Sequence, residues 1–106
     1  MGATKSMGSK DSRWLAAAAL DRWLMYQSKP QKYGTQFVSD GKRYRLWDLD
    51  PTTTDAERAA NHVLSLQEQL KQAKRYTQED PQSGIEKDKA PAWMKDALER
   101  WEQEEA

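Results

Sequence analysis

The sequence predicts a small α+β domain, mainly helical, in which one β-hairpin packs on about three helices. Three observations carry this expectation. The run Ala16 to Leu20 consists of strong helix formers, behind a cap available at Asp11 or Ser12. Two β-rich runs, Gln36-Phe37-Val38 and Arg43-Tyr44-Arg45-Leu46-Trp47, flank Asp40-Gly41, a favoured type I′ turn pair. Finally, Thr54-Asp55-Ala56-Glu57 has the form of a capping box that opens a further helix, and Pro91 suits the first turn of a last one.

Taken in order, residues 1–10 are small, polar and Gly-containing and are expected to form a disordered leader. They have no apolar h-region, so they do not form a signal peptide, and a cytoplasmic location is the default. The core domain is drawn at 11–76. Its first helix has two partly apolar faces, one with Ala16, Ala17, Leu20, Trp23 and Leu24, the other with Trp14, Ala18, Asp21 and Met25. That predicts a central helix. Ser28-Lys29-Pro30 ends it, because the residue before a proline is pushed out of the α region. A lone hairpin is marginal in water, so one of its faces must lie on a helix, and the first helix is the nearest candidate. Asp50-Pro51-Thr52-Thr53 reads as a turn. The helix after Thr54 carries a seam of Ala59, Val63, Leu66, Leu70 and Ala73, suited to core packing. Residues 77–90 hold Pro81, Ser83, Gly84 and clustered charge, a flexible linker. The last helix, 91–104, presents Trp93, Met94, Ala97, Leu98 and Trp101 as one stripe. It is a candidate partner-binding element through Trp93, Met94, Leu98 and Trp101, able to dock on its own domain or on another protein.

Composition limits the function classes. The chain has 106 residues, 17 Lys+Arg against 17 Asp+Glu, and no cysteine. That length allows one small domain. Leu, Ile, Val and Phe together make up only about 12%, below the ~20% at which disorder sets in, so the five Trp and four Tyr must build a thin core. Without cysteine there is no disulfide scaffold, Cys-ligated zinc or thiol catalysis. No apolar run approaches the ~20 residues of a membrane span. Zero net charge argues against non-specific nucleic-acid binding, although Lys29, Lys32, Lys42, Arg43 and Arg45 lie among Tyr33, Tyr44 and Trp47. The acidic C-terminal segment is expected to screen that basic cluster.

The densest polar constellation is Pro30-Gln31-Lys32-Tyr33-Gly34-Thr35-Gln36, between the first helix and the hairpin. Gly34 permits positive φ, Tyr33 offers a ring with a hydroxyl, and Gln31 and Gln36 each carry donors and an acceptor. Such groups suit an amide, a base edge or a sugar hydroxyl, and they equally suit a structural turn whose glutamines cap loose backbone. Asp21 and Arg22 point about 100° apart on their helix. Arg22 could clamp a carboxylate or phosphate, and Asp21 could orient it or the Tyr33 hydroxyl, or form an ion pair to the loop. Asp48 and Asp50 share a strand face but lack the pattern of a calcium loop, so no metal is assigned. His62, the single histidine, has no orienting acid at helical spacing and is assigned no catalytic role.

Asp21-Arg22 followed by Lys29-Pro30-Gln31-Lys32-Tyr33-Gly34-Thr35-Gln36-Phe37 resembles a bacterial family described as a domain of unknown function, with a D-R pair and a P-Q-x-Y-G-T-Q motif. The likeness runs through Asp40-Gly41 and Asp55…Arg58 to about Tyr76, roughly half of the chain. It implies a candidate ligand site at Asp21, Arg22, Gln31, Tyr33, Gly34, Thr35 and Gln36, and no reaction. Two departures stand out. The family's glycine before K-P-Q is Ser28 here, and its G-L-P-P break is His62-Val63-Leu64-Ser65, which predicts an uninterrupted helix after Thr54. Members also carry an upstream segment with His, Gln and Asp, so this chain is expected to correspond to the C-terminal half of the domain.

The expectation is an interaction or ligand-binding module that recognises a peptide or small polar ligand through this loop, with no cofactor. A homo-oligomer is compatible with it. The alternatives are half of an enzyme completed by another chain, or a structural subunit docked through the C-terminal Trp helix.

Overall fold

The computed structural model describes the backbone of residues 2–79 and 90–105, and the side chains of 12–79 and 90–104. Four helices and one antiparallel hairpin follow in the order α1 (Gly2–Tyr26), β1 (Phe37–Ser39), β2 (Tyr44–Leu46), α2 (Asp55–Ala60), α3 (Leu66–Glu79) and α4 (Ala92–Glu105). The mainly helical α+β class is therefore as the sequence predicts. The helical backbone reaches back to Gly2, through the segment expected as a leader, because no proline interrupts residues 2–10 and each added residue gains a hydrogen bond. At the other end α3 runs to Glu79, past the linker boundary drawn at 77, and the remainder of that expected linker, 80–89, lies outside the described residues.

Helix α1 buries one face and not two. Ala17, Ala18, Asp21 and Met25 are inside, while Trp23 is 60% exposed, so the helix lies on the rim of the fold. It ends in a paired cap: Ser28 N–H donates to Met25 O (2.9 Å) and Lys29 N–H to Leu24 O (3.0 Å). This 5→2 and 6→1 pattern needs a left-handed residue at its centre, and Ser28 takes φ 60.

The hairpin pairs Phe37 with Leu46, Val38 with Arg45 and Ser39 with Tyr44. Asp40 N–H donates to Arg43 O (3.0 Å), which places Gly41-Lys42 at the tip rather than Asp40-Gly41. Gly41 has φ 93 and Lys42 is not among the positive-φ residues, so the tip is not the type I′ turn, which needs both positive. The Asp40 carboxylate decides the shift by accepting the N–H of Lys42 and of Arg43, each at 2.9 Å. Both faces of the hairpin are covered, and neither principally by α1. On one face Phe37 and Tyr44 meet Tyr76 of α3 edge-on, with ring centres 5.2 and 6.1 Å apart, and along the outer edge of β2 the Tyr44 N–H donates to Thr77 Oγ1 (2.9 Å). On the opposite face Trp47 packs edge-on against Trp101 of α4, with ring centres 5.9 Å apart.

The apolar core is formed by Met25, Val38, Trp47, Ala90, Met94, Ala97, Leu98 and Trp101, with Trp93 packed against it. The stripe of α4 considered for partner binding is therefore spent within the chain. Trp47 Nε1 donates to Lys29 O (2.8 Å) and Trp101 Nε1 to Asp48 Oδ1 (3.2 Å), so both buried indoles are satisfied. Arg100 adds a 2.6 Å ion pair to Asp48 Oδ2. Arg45 lies over the Trp101 ring, 4.0 Å from its centre. Burial lowers its pKa, against Asp40, Glu104 and Asp48, which raise it. The acidic C-terminal helix thus does fold onto the basic hairpin.

The helix after Thr54 is broken. The capping box forms as predicted, with Glu57 N–H donating to Thr54 Oγ1 and Thr54 N–H to Glu57 Oε1, each at 3.2 Å. Six residues later α2 ends: His62 N–H donates to Ala59 O and Val63 N–H to Arg58 O, with His62 at φ 59. Helix α3 restarts on Ser65, whose Oγ accepts from Glu68 N–H (3.3 Å). The break turns α3 about its axis, so the expected seam holds only in part: Val63 and Ala73 are inside, whereas Ala59, Leu66 and Leu70 are exposed and Gln69 takes a buried place beside Ala73.

Candidate functional site

The Gln31–Gln36 loop is held by a polar core. Asp21, fully buried on α1, accepts the N–H of Lys32 (2.8 Å) and Tyr33 (3.0 Å) at Oδ1, and of Gly34 (3.1 Å) and Thr35 (3.0 Å) at Oδ2. Thr35 Oγ1 adds a fifth bond, 2.8 Å to Oδ2. Four successive amides pointing at one carboxylate make an anion nest filled from within the chain. The partner expected for Asp21, the Tyr33 hydroxyl or an ion pair, is thus replaced by backbone.

Gln31, also fully buried, closes the loop on the hairpin. Its Nε2 donates to Gln36 O (3.0 Å) and Trp47 O (2.9 Å), and its Oε1 accepts Gln36 N–H (2.9 Å). Its backbone pairs in parallel with the chain around Leu49, through Gln31 N–H to Asp48 O and Asp50 N–H to Gln31 O, both 2.8 Å. Gln36 Nε2 donates to Thr35 Oγ1 (3.1 Å) and, at 3.5 Å, to Ala18 O. From the far side, Arg58 Nε and Gln69 Nε2 both donate to Tyr33 O at 2.9 Å. The buried residues Arg58 and Gln69 were not legible as site residues in the sequence. Gly34 sits at φ 102 directly on Gln69, and a Cβ there would come within 2.7 Å of the Gln69 amide carbon and nitrogen. The glycine is thus required twice, by its dihedral and by this approach.

Of the seven loop and helix residues proposed from sequence, the polar groups of Asp21, Gln31, Thr35 and Gln36 are therefore bonded internally. Tyr33 is half-buried with Lys32 Nζ 5.4 Å from its ring centre. Arg22 lies exposed, away from Asp21, and has no partner among the described residues. Asp48 and Asp50 do not converge: the first binds α4 and the second accepts Thr52 N–H (2.9 Å) and Oγ1 (2.7 Å), bonds that lower its pKa. Among the described residues no group of three or more His, Cys, Asp or Glu side chains converges on a point, and no helix is long and apolar enough to cross a membrane.

The outer edge of the loop walls a concavity. Gly34 and Thr35 form one side of a hollow of about 380 Å³, closed by Trp14, Phe37, Leu64, Gln72 and Tyr76, with Gln69 and Val63 at its base. A second hollow of about 430 Å³ adjoins it, lined by Phe37, Tyr44, Tyr76 and Glu79. Phe37 and Tyr76 belong to both and meet edge-to-face with ring centres 5.2 Å apart. The groove is lined by four aromatic rings, Trp14, Phe37, Tyr44 and Tyr76, with Val63 and Leu64 beside them and the amides of Gln69 and Gln72 among them. Comparison of the chain with protein-family models, with curated proteins and with solved structures gives no match.

Proposed function

We propose that the chain is a small binding module, in which the Gln31–Gln36 loop is a rigid wall and the ligand lies in the aromatic groove beside it. The observation that carries this is the division of polar groups. The backbone groups of the loop are turned inward onto Asp21, Gln31, Arg58 and Gln69, whereas Trp14 Nε1, the Gln72 amide and the Tyr76 hydroxyl have no hydrogen-bond partner among the described residues. A concave, largely apolar surface with a few unpaired polar groups fixes the orientation of a peptide or small polar ligand. A preorganised wall lowers the ordering cost of binding. The likeness to the D-R…P-Q-x-Y-G-T-Q family gains support from two backbone positions. Where that family carries glycine this chain has Ser28 and His62, and these two adopt left-handed φ of 60 and 59.

The test is native mass spectrometry of the protein recovered from its own cells, beside Trp14→Ala and Tyr76→Ala. A bound peptide or metabolite that disappears in both variants, each still folded by circular dichroism, supports the reading. Retention of every bound species in both variants contradicts it. One observation favours a second reading, completion by another chain: α1 leaves Leu15, Trp23 and Tyr26 58%, 60% and 56% exposed on the side that bears Arg22.

A further inference from the structure

We infer that the groove takes a proline-rich segment in the polyproline II conformation, with a basic residue at the end that faces Glu79. This rests on the reading of the groove as the binding surface and names its ligand class. Two hollows separated by the Phe37–Tyr76 ridge suit a ligand whose side chains project in threes around a stiff axis rather than along one face. Polyproline II repeats every three residues with a rise of about 3.1 Å, so successive turns straddle a ridge roughly one ring wide. Pyrrolidine rings pack flat on aromatic faces, and Trp14, Phe37, Tyr44 and Tyr76 supply four.

Hydrogen bonding points the same way. A polyproline II backbone makes no internal hydrogen bonds and offers outward carbonyls without amide donors at proline. It therefore calls for donors from the receptor, and Trp14, Gln72 and Tyr76, which line the groove, carry an indole N–H, an amide and a hydroxyl with no partner among the described residues. An added β-strand is a poorer fit, because the outward N–H of Tyr44 on β2 is already taken by Thr77. Charge sets the direction. Glu79 lines the second hollow with no ion-pair partner among the described residues, at the C-terminal end of α3, whose last turn carries no basic side chain. The negative end of the helix dipole adds to the carboxylate there, and a cationic residue complements both.

The experiment titrates 15N-labelled protein with four synthetic peptides: a proline decamer, that decamer with arginine at its N-terminal end, that decamer with arginine at its C-terminal end, and a Gly-Ser decamer. The inference expects saturable shifts at Gly34, Thr35, Gln72, Tyr76 and the Trp14 indole with the proline peptides only. One arginine-ended peptide should bind about two- to fivefold tighter than the plain decamer, the weight of an exposed ion pair, and Glu79→Gln should erase that gain. Trp14→Ala should weaken binding at least about tenfold, as for an aromatic anchor. Proline peptides that shift these signals no more than the Gly-Ser control overturn the inference. If N-acetyl-tryptophanamide or a nucleoside moves the same signals while proline peptides do not, the ligand class is wrong and the binding groove stands. If none of these probes moves them and Trp14→Ala keeps every native partner, both fall. An arginine gain that survives in Glu79→Gln removes the assigned polarity.

Discussion

Two cores hold this chain together, and they are made of opposite materials. Around Trp47, Met94 and Trp101 the interior is apolar and aromatic, closed by edge-to-face rings and two indole hydrogen bonds. Around Asp21, Gln31 and Gln69 it is polar, and nearly every donor and acceptor is matched. A chain this poor in aliphatic residues cannot bury enough apolar surface for a second hydrophobic core. It fixes the loop before the hairpin instead by turning four backbone amides onto one carboxylate. The difference has a consequence for substitution. An apolar core loses stability roughly in proportion to the volume removed, whereas a polar core fails whenever one partner is deleted and the other stays buried.

The most damaging change should fall on the polar side. Asp21→Ala strands four backbone N–H groups and the Thr35 hydroxyl. At roughly 1–3 kcal/mol for each buried unsatisfied group, some relieved by entering water, the loss should reach about 4 kcal/mol or more in urea unfolding. Trp101→Ala should cost about 3–5 kcal/mol by the same measurement, through the cavity beside Trp47. A clearly smaller loss for Asp21→Ala than for Trp101→Ala would show that the loop is not part of the cooperative fold. Gly34→Ala comes next, at about 2 kcal/mol, from left-handed strain and the collision with Gln69. The smallest effect has the opposite sign: His62→Gly should stabilise by about 0.5–1 kcal/mol, since the cost of left-handed φ exceeds the extra chain entropy of glycine.

Acid sharpens the contrast between the cores and the loops that join them. Asp55 accepts from Leu66 N–H (3.0 Å) and Arg58 Nη1 (2.8 Å), and these bonds, the backbone one first, hold its carboxyl below the ordinary aspartate range. Its stabilising contribution is therefore complete above that range and is lost as the pH falls through the lowered value. Stability followed by thermal unfolding should decline below about pH 4, and Asp55→Asn should flatten part of that decline. An identical acid limb in wild type and variant would contradict the assignment.

Much of the fold was legible and part of the site was not. The hairpin, the Thr54–Glu57 box and the apolar stripe of α4 follow from local patterns that the structure keeps. The break between α2 and α3 was hidden because neither His62 nor Ser65 is a glycine or proline. The signal was present all the same, in Ser65-Leu66-Gln67-Glu68, which has the spacing of a second cap. Missing that cap carried Leu66 and Leu70 inward and left Gln69 unnoticed. The Gln31–Gln36 loop stood out for its polar density, but density alone does not say which way the groups point. That depended on Asp21 and Arg58, which meet the loop across 11 to 14 and 25 residues of sequence. The groove was illegible for the same reason, since Trp14, Phe37 and Tyr76 come from three separate elements.

The central claim is that one buried carboxylate makes the loop rigid. Amide hydrogen exchange at Lys32, Tyr33, Gly34 and Thr35 tests it most directly. The account predicts that all four exchange as slowly as the amides in the middle of α1, and that Asp21→Asn, which offers only one acceptor oxygen, speeds at least two of them selectively. Exchange at the rate of an open loop in the wild-type protein would contradict it.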